Sequence, residues 1–175
     1  MKKFFNIFLV LSAVAFMCAC SGNDENIIVN NKIAYSSDME YEKWMGGDKL
    51  VKDIAHSGKY SSRLDSNNAY SFGFTQLLSE IGDTIPKVVS VNFWLHYPEI
   101  GISSQLVISI DSAGKNIFWL GHPLKDSISQ PNQWKEIKTS FTLPVNLQPD
   151  NKINIYVWSN DKRTFYMDDL TISFP

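Results

Sequence analysis

The chain has 175 residues, 44% of them hydrophobic, with 16 basic and 18 acidic side chains and a formal charge of −2. This mildly acidic balance argues against nucleic acid as a partner, because a phosphate backbone requires clustered Lys and Arg. Its two cysteines, Cys18 and Cys20, both lie near the N-terminus, which excludes a disulfide framework and a thiol nucleophile in the remainder of the chain.

The chain opens with "MKKFFNIFLVLSAVAFMCACSGNDE". Lys2 and Lys3 precede an apolar run from Phe4 to Met17, 14 residues long. That is short of the roughly 20 residues a membrane-spanning helix needs and fits the apolar core of a secretory signal. The run ends in Ala19–Cys20, which resembles a bacterial lipoprotein signal. The resemblance implies removal of 1–19 and acylation of Cys20, with residues 20–31 as lipidated cysteine and tether. Cleavage would take away Lys2 and Lys3 and no acid, moving the charge from −2 to −4. The acidic stretch after Cys20 resembles the export tag of bacterial surface lipoproteins, which implies a lipid-anchored place on the outer membrane, exposed at the cell surface.

Residues 32–175 suit one domain with a full core. Strand alternation recurs at 27–35, 49–54, 59–65, 69–76, 87–97, 104–111, 115–121, 134–143, 152–159 and 164–174. Turn signals such as "HSGK", "DSNN", "DSAGK", "QPNQ" and "SNDK" separate these segments, and no segment carries a helical period. Short strands at this spacing predict an all-β, antiparallel β-sandwich of jelly-roll type.

Alternation also sorts the faces of the strands. In 87–97, Val89, Val91, Phe93 and Leu95 form an aliphatic side, against Asn92, Trp94 and His96 on the other. In 152–159, Ile153, Ile155 and Val157 oppose Asn154, Tyr156 and Trp158. Trp119 shares a side with Ile117 and Gly121 and is expected in the core, whereas Trp134 reads as packing. In "FYMDDLTISFP", strict alternation puts Asp168 on the inner side with Tyr166, Leu170, Ile172 and Phe174. Asp169 then falls on the outer side with Phe165 and Met167. A buried carboxylate needs a cation or a set of donors. The alternatives for Asp168 are a bound ion, a turn cap, or pairing with Lys162 or Arg163.

Taken in order, "DMEYEKW", "AHSGKYSSRL", "VSVNFWLHY", "NQWKEIKTSFTLP" and "INIYVWSNDKRTFYMDDLTI" resemble the strands of jelly-roll carbohydrate-binding modules with a galactose-binding-like fold. The likeness covers most of residues 38–172. It implies a structural Ca²⁺ held by the Glu40 and Asp168 carboxylates and by backbone carbonyls of Asp38, His56 and Lys59, an oxygen set suited to calcium. It also implies non-catalytic binding of a polysaccharide or oligosaccharide. Asn92, Trp94, His96, Tyr156 and Trp158 are the candidate ligand-binding residues, because sugar rings stack on aromatic faces while their hydroxyls need amide or imidazole partners. If the two strands carrying them are neighbours in one sheet, their aromatics form a platform. The sequence offers no catalytic signature such as HExxH or G-x-S-x-G, so no enzyme is expected. Two alternatives stay open. One is a structural or interaction module of an outer-membrane glycan-utilisation complex, and the other is a jelly-roll lyase or hydrolase.

Overall fold

A computed structural model describes residues 27–29, 32–40 and 44–175, so the expected signal segment and Cys20 lie outside the described residues. Eleven strands are present among them: β1 (Ile27–Val29), β2 (Lys32–Ser37), β3 (Leu50–Val51), β4 (Ser61–Leu64), β5 (Phe74–Leu77), β6 (Val88–His96), β7 (Gln105–Ser112), β8 (Lys115–Pro123), β9 (Trp134–Thr142), β10 (Lys152–Trp158) and β11 (Phe165–Phe174). Each matches a segment of alternating sequence, and the helical elements among the described residues are three-residue 3-10 turns. No helix there is long and apolar enough to cross a membrane.

The strands form two antiparallel sheets. In the seven-stranded sheet β11 is central, with β6 and then β9 on one side. Its other edge is shared by β4 with β3 and by β2 with β1. The four-stranded sheet runs β5-β10-β7-β8. Between them lies one core: Val89, Val91, Phe93 and Leu95 from β6 face Leu106, Ile108 and Ile110 from β7 and Ile153, Ile155 and Val157 from β10. All ten are at most 2% exposed. Alternation therefore does on both sheets what it predicts, because one side of each strand meets the other sheet and the opposite side meets water.

β11 breaks that rule. Asp168 pairs with Trp94 and Thr171 pairs with Asn92, so three steps on β11 match two on β6. The extra residue is a β-bulge, and Asp169 takes a left-handed backbone there, with φ of +49°. The phase of the strand flips across it. Phe165 and Met167 face the core before the bulge, and Leu170, Ile172 and Phe174 face it afterwards. The expected division of β11 is corrected accordingly. Tyr166 lies outside the core, and Phe165 and Met167 lie within it. Asp168, across from Trp94, sits on the outer side of its sheet and not with Leu170, yet it is 0% exposed.

A second bulge lies between β7 and β8. Ile110 pairs with Phe118 and Asp111 with Asn116, so Ile117 is the unmatched residue. Phe118 consequently packs against the core, and the side carrying Trp119 faces outward. The expectation that Trp119 is core is wrong, since it is 50% exposed.

Candidate functional site

The loop over 54–60 answers the question of how Asp168 is held. Its Oδ2 accepts the His56 amide at 2.7 Å and the Ser57 amide at 3.2 Å, while Oδ1 accepts the Asp169 amide at 2.8 Å. Glu40 grips the other end of the loop: its Oε1 accepts the amides of Lys59 at 2.5 Å and Tyr60 at 2.9 Å. Between them Gly58 has φ of +59°, and a Cβ there would stand 2.3 Å from Glu40 Oε1, so only glycine allows this approach. Asp169 completes the clasp through His56 Nδ1 and Ser57 Oγ, each at 2.5 Å. Lys162 and Arg163 play no part; Arg163 pairs with Asp161 and Glu99 instead.

The structure thus brings Glu40 and Asp168, the two expected calcium carboxylates, to one loop. Three of their four oxygens accept amides, and each carboxylate keeps unfilled lone pairs for a cation. The expected carbonyls fit less well. In a trans peptide the C=O points opposite to the next N–H, and no cis bond is present among the described residues. Because the Ser57 and Tyr60 amides point at the carboxylates, the carbonyls of His56 and Lys59 point away from them. Asp38 uses its side chain to cap the Glu40 amide at 3.2 Å. Burial, reinforced by the Asp169 charge, pushes the Asp168 carboxyl up to about 7.

The five expected ligand-binding residues separate into two groups. β6 and β10 belong to different sheets, so Asn92, Trp94 and His96 lie on one outer face of the sandwich and Tyr156 and Trp158 on the other. The condition for a shared aromatic platform, two neighbouring strands in one sheet, is therefore not met. On the β6 side, one face of the Trp94 indole is covered by the His56 ring, stacked at 3.7 Å and 14°. His96 is buried beside Trp134 and Tyr166, and that burial lowers its pKa. The Asn92 amide donates to Glu136. A shallow depression of ≈ 330 Å³ beside them is lined by short side chains such as Ser90, Thr139 and Thr171, with no aromatic ring.

The opposite face carries a cleft of ≈ 380 Å³ on the four-stranded sheet. The pairing registers fix its floor: Thr75, Asn154, Ser109 and Trp119 form one row across β5, β10, β7 and β8. The next row brings Tyr156, Val107 and Gly121 together. A Cβ on Gly121 would lie 2.4 Å from the Trp119 ring, so the glycine lets that indole lie down over its own strand. Across the floor stands Tyr70, 48% exposed, edge-on to Tyr156 at 5.7 Å between ring centroids. Trp119 and Tyr70 thus place an aromatic ring on either side of the cleft. Trp158, one row beyond Tyr156 and across from Gln105, is half-buried and does not line the cleft.

The polar groups between these rings are already aligned. Asn154, 8% exposed, donates to Asp111 Oδ2 at 2.9 Å and accepts from Thr75 Oγ1 at 2.8 Å. Asn116 donates to Asp111 Oδ1 at 3.1 Å. Asp111 is therefore fixed by an amide on each oxygen, with acceptor capacity left for a ligand hydroxyl. Burial raises the pKa of the Tyr156 hydroxyl, with Ser109 and Trp119 opposing the shift. Of these residues only Tyr156 was an expected ligand contact. Trp119, Tyr70, Asp111 and Asn116 were missed, although Gly121 two residues after Trp119 was a signal of space left for a ring.

Comparison with known proteins bears on the fold and on relatives. No family model matches the chain. It is similar to endo-1,4-beta-xylanase A of Thermoanaerobacterium saccharolyticum, 31% identical over 147 residues, a match covering 74% of this chain and 11% of that protein. The chain therefore spans about a tenth of the relative's length. Among solved structures it resembles the CBM22-2 xylan-binding domain from Paenibacillus barcinonensis Xyn10C, with a TM-score of 0.50 and 16% identity, covering 88% of this chain and 94% of that one. At that identity the likeness shows the β-sandwich fold, as the alternation predicts.

Proposed function

We propose that this protein is a non-catalytic glycan-binding module whose site is the cleft on the four-stranded sheet, and that its ligand is a β-1,4-linked xylan or a closely related polysaccharide. The observation that carries this reading is the half-exposed Trp119 ring in one cleft with Tyr70, pre-bonded amides and a carboxylate. Pyranose rings offer C–H faces to the indole, and their equatorial hydroxyls need the short polar groups beneath it. The choice of xylan comes from the similar proteins, one a xylan-binding domain and the other a xylanase.

The same cleft supports a binding role over a hydrolytic one. Glycoside hydrolysis uses a pair of carboxyl groups about 5–10 Å apart. Among the described residues that line the cleft, Asp111 is the one carboxylate, and both its oxygens are engaged by amides. Titration of the full chain with xylohexaose in a calorimeter tests the proposal, with Trp fluorescence followed in parallel. Saturable binding with a blue-shifted emission is expected, because stacking removes water from a half-exposed indole. Absence of heat and of a spectral shift with xylohexaose would discard the xylan reading.

The anchoring reading rests on the N-terminal sequence: we propose a lipid on Cys20 that holds the module at the outer face of the outer membrane, where it retains polysaccharide for partner enzymes and transporters. Cells expressing the chain should incorporate labelled palmitate into it, and Cys20→Ser should abolish the label and release the protein from the membrane fraction. Unchanged labelling of Cys20→Ser would end the proposal.

A further inference from the structure

The cleft has one feature that a neutral sugar chain leaves unused. Lys49 lines it on the Tyr70 side, and its ammonium stands 5.7 Å from the centroid of the Tyr70 ring. The side chain is positioned from below. Lys49 ends a 3-10 turn, its amide donates to the Gly46 carbonyl at 3.0 Å, and a Cβ on Gly46 would lie 3.3 Å from Lys49 Cδ. The stem is therefore packed at Gly46, and the residue as a whole is half-buried at the rim of the cleft.

The ion pairs among the described residues belong to His56, Arg63, Lys138 and Arg163, and none includes Lys49. The cleft's carboxylate, Asp111, belongs to β7 and is held there by Asn116 from β8 and Asn154 from β10. An ammonium over a tyrosine ring is a weak, exchangeable arrangement, whereas an ammonium meeting a carboxylate forms a charge-assisted hydrogen bond. An acid approaching from the Asp111 side would meet a like charge, and one approaching along Tyr70 would meet a cation.

We infer that the cleft prefers glycans bearing a uronic acid, and that Lys49 receives the uronate carboxylate on the Tyr70 side. This rests on the glycan-binding reading of the cleft and narrows its ligand to acid-substituted chains. A backbone lying on Trp119 directs its equatorial substituents sideways, so an acid carried as a branch reaches the rim without entering the floor. Xylan chains carrying glucuronic acid branches have this chemistry.

The test compares two probes on the full chain by calorimetry: a xylo-oligosaccharide with a single glucuronic acid branch, and the same oligosaccharide without it. At low ionic strength the branched probe should bind about twofold to fivefold more tightly, the range expected of one partly solvated ion pair. The advantage should shrink at about 0.5 M salt, where screening is strong. Lys49→Gln should erase the preference, so that the two probes bind it equally, and Lys49→Arg should keep it. Lys49 lies outside the core, so each variant should retain its melting temperature, which is measured alongside. Equal affinity for the two probes, or a preference that survives in Lys49→Gln, overturns the role of Lys49 and leaves the cleft intact as a neutral-sugar site. Failure of both probes to bind overturns the cleft reading itself.

Discussion

Trp119→Ala should weaken binding of xylohexaose by roughly 30- to 150-fold, or about 2–3 kcal/mol, the scale of a Trp anchor at the centre of an interface. The ring is half exposed without ligand, so most of what stacking contributes is lost when it is truncated. Trp119→Phe keeps a smaller face and should lose about tenfold or less. Neither change should unfold the domain. Trp119 projects outward from the edge strand β8 and is absent from the core cluster, so truncation should lower stability by no more than about 1 kcal/mol. Trp94→Ala is the matched control on the opposite face. Its indole is covered on one side by His56, and its loss should leave xylohexaose affinity unchanged. Wild-type affinity in Trp119→Ala, with loss in Trp94→Ala, would move the site to the other sheet.

The second large effect concerns Asp168 and pH. Its carboxyl ionises near 3.8 when free and is raised to about 7 in the folded protein. The folded state therefore holds a proton that the unfolded state has released between those values. Stability from this group is complete below about 3.8 and is lost as pH rises through about 7. The difference is at most about 4 kcal/mol at 1.36 kcal/mol per unit. In metal-free buffer, wild-type protein should resist urea better at pH 5 than at pH 8, and Asp168→Asn should flatten that contrast. At pH 8, Asp168→Ala should cost about 3 kcal/mol, because the His56, Ser57 and Asp169 amides lose their acceptor. A wild-type pH profile identical to that of Asp168→Asn would show that the buried acid is not the titrating group.

The same measurement tests calcium, which we propose binds the free lone pairs of Glu40 and Asp168. A divalent cation there would neutralise the Asp168 carboxylate, so saturating Ca²⁺ should raise the midpoint at pH 8 and leave it unchanged at pH 5. A chelator should reverse the gain. No response of either midpoint would leave the amide clasp as the whole of that junction.

Strand positions were legible because each strand buries one side, and a period of two leaves a clear trace in residues such as Val89 to Leu95. Two kinds of information were not local enough to read. One is the inserted residue: a count of two per repeat carries straight through Asp168–Asp169 and through Ile117, so it misplaced Phe165, Met167 and Trp119. The other is strand partnership. The polar and aromatic sides of β6 and β10 look alike in sequence, but nothing in either strand says that they enter different sheets. Glu40 and Asp168 were found as a pair only through family likeness, since 128 positions separate them and no local pattern joins them. The amide donors that hold them are backbone groups, which leave no signature in the side-chain alphabet.

The extra residue at Asp169 has a consequence for how this chain tolerates change. It lets odd-numbered side chains fill one end of the interior and even-numbered ones the other, so β11 serves both ends only while the count stays as it is. Excising that single aspartate would turn Leu170, Ile172 and Phe174 toward water, or else expel Phe165 and Met167. An ordinary loop forgives a one-residue deletion; this position would turn half of a central strand inside out.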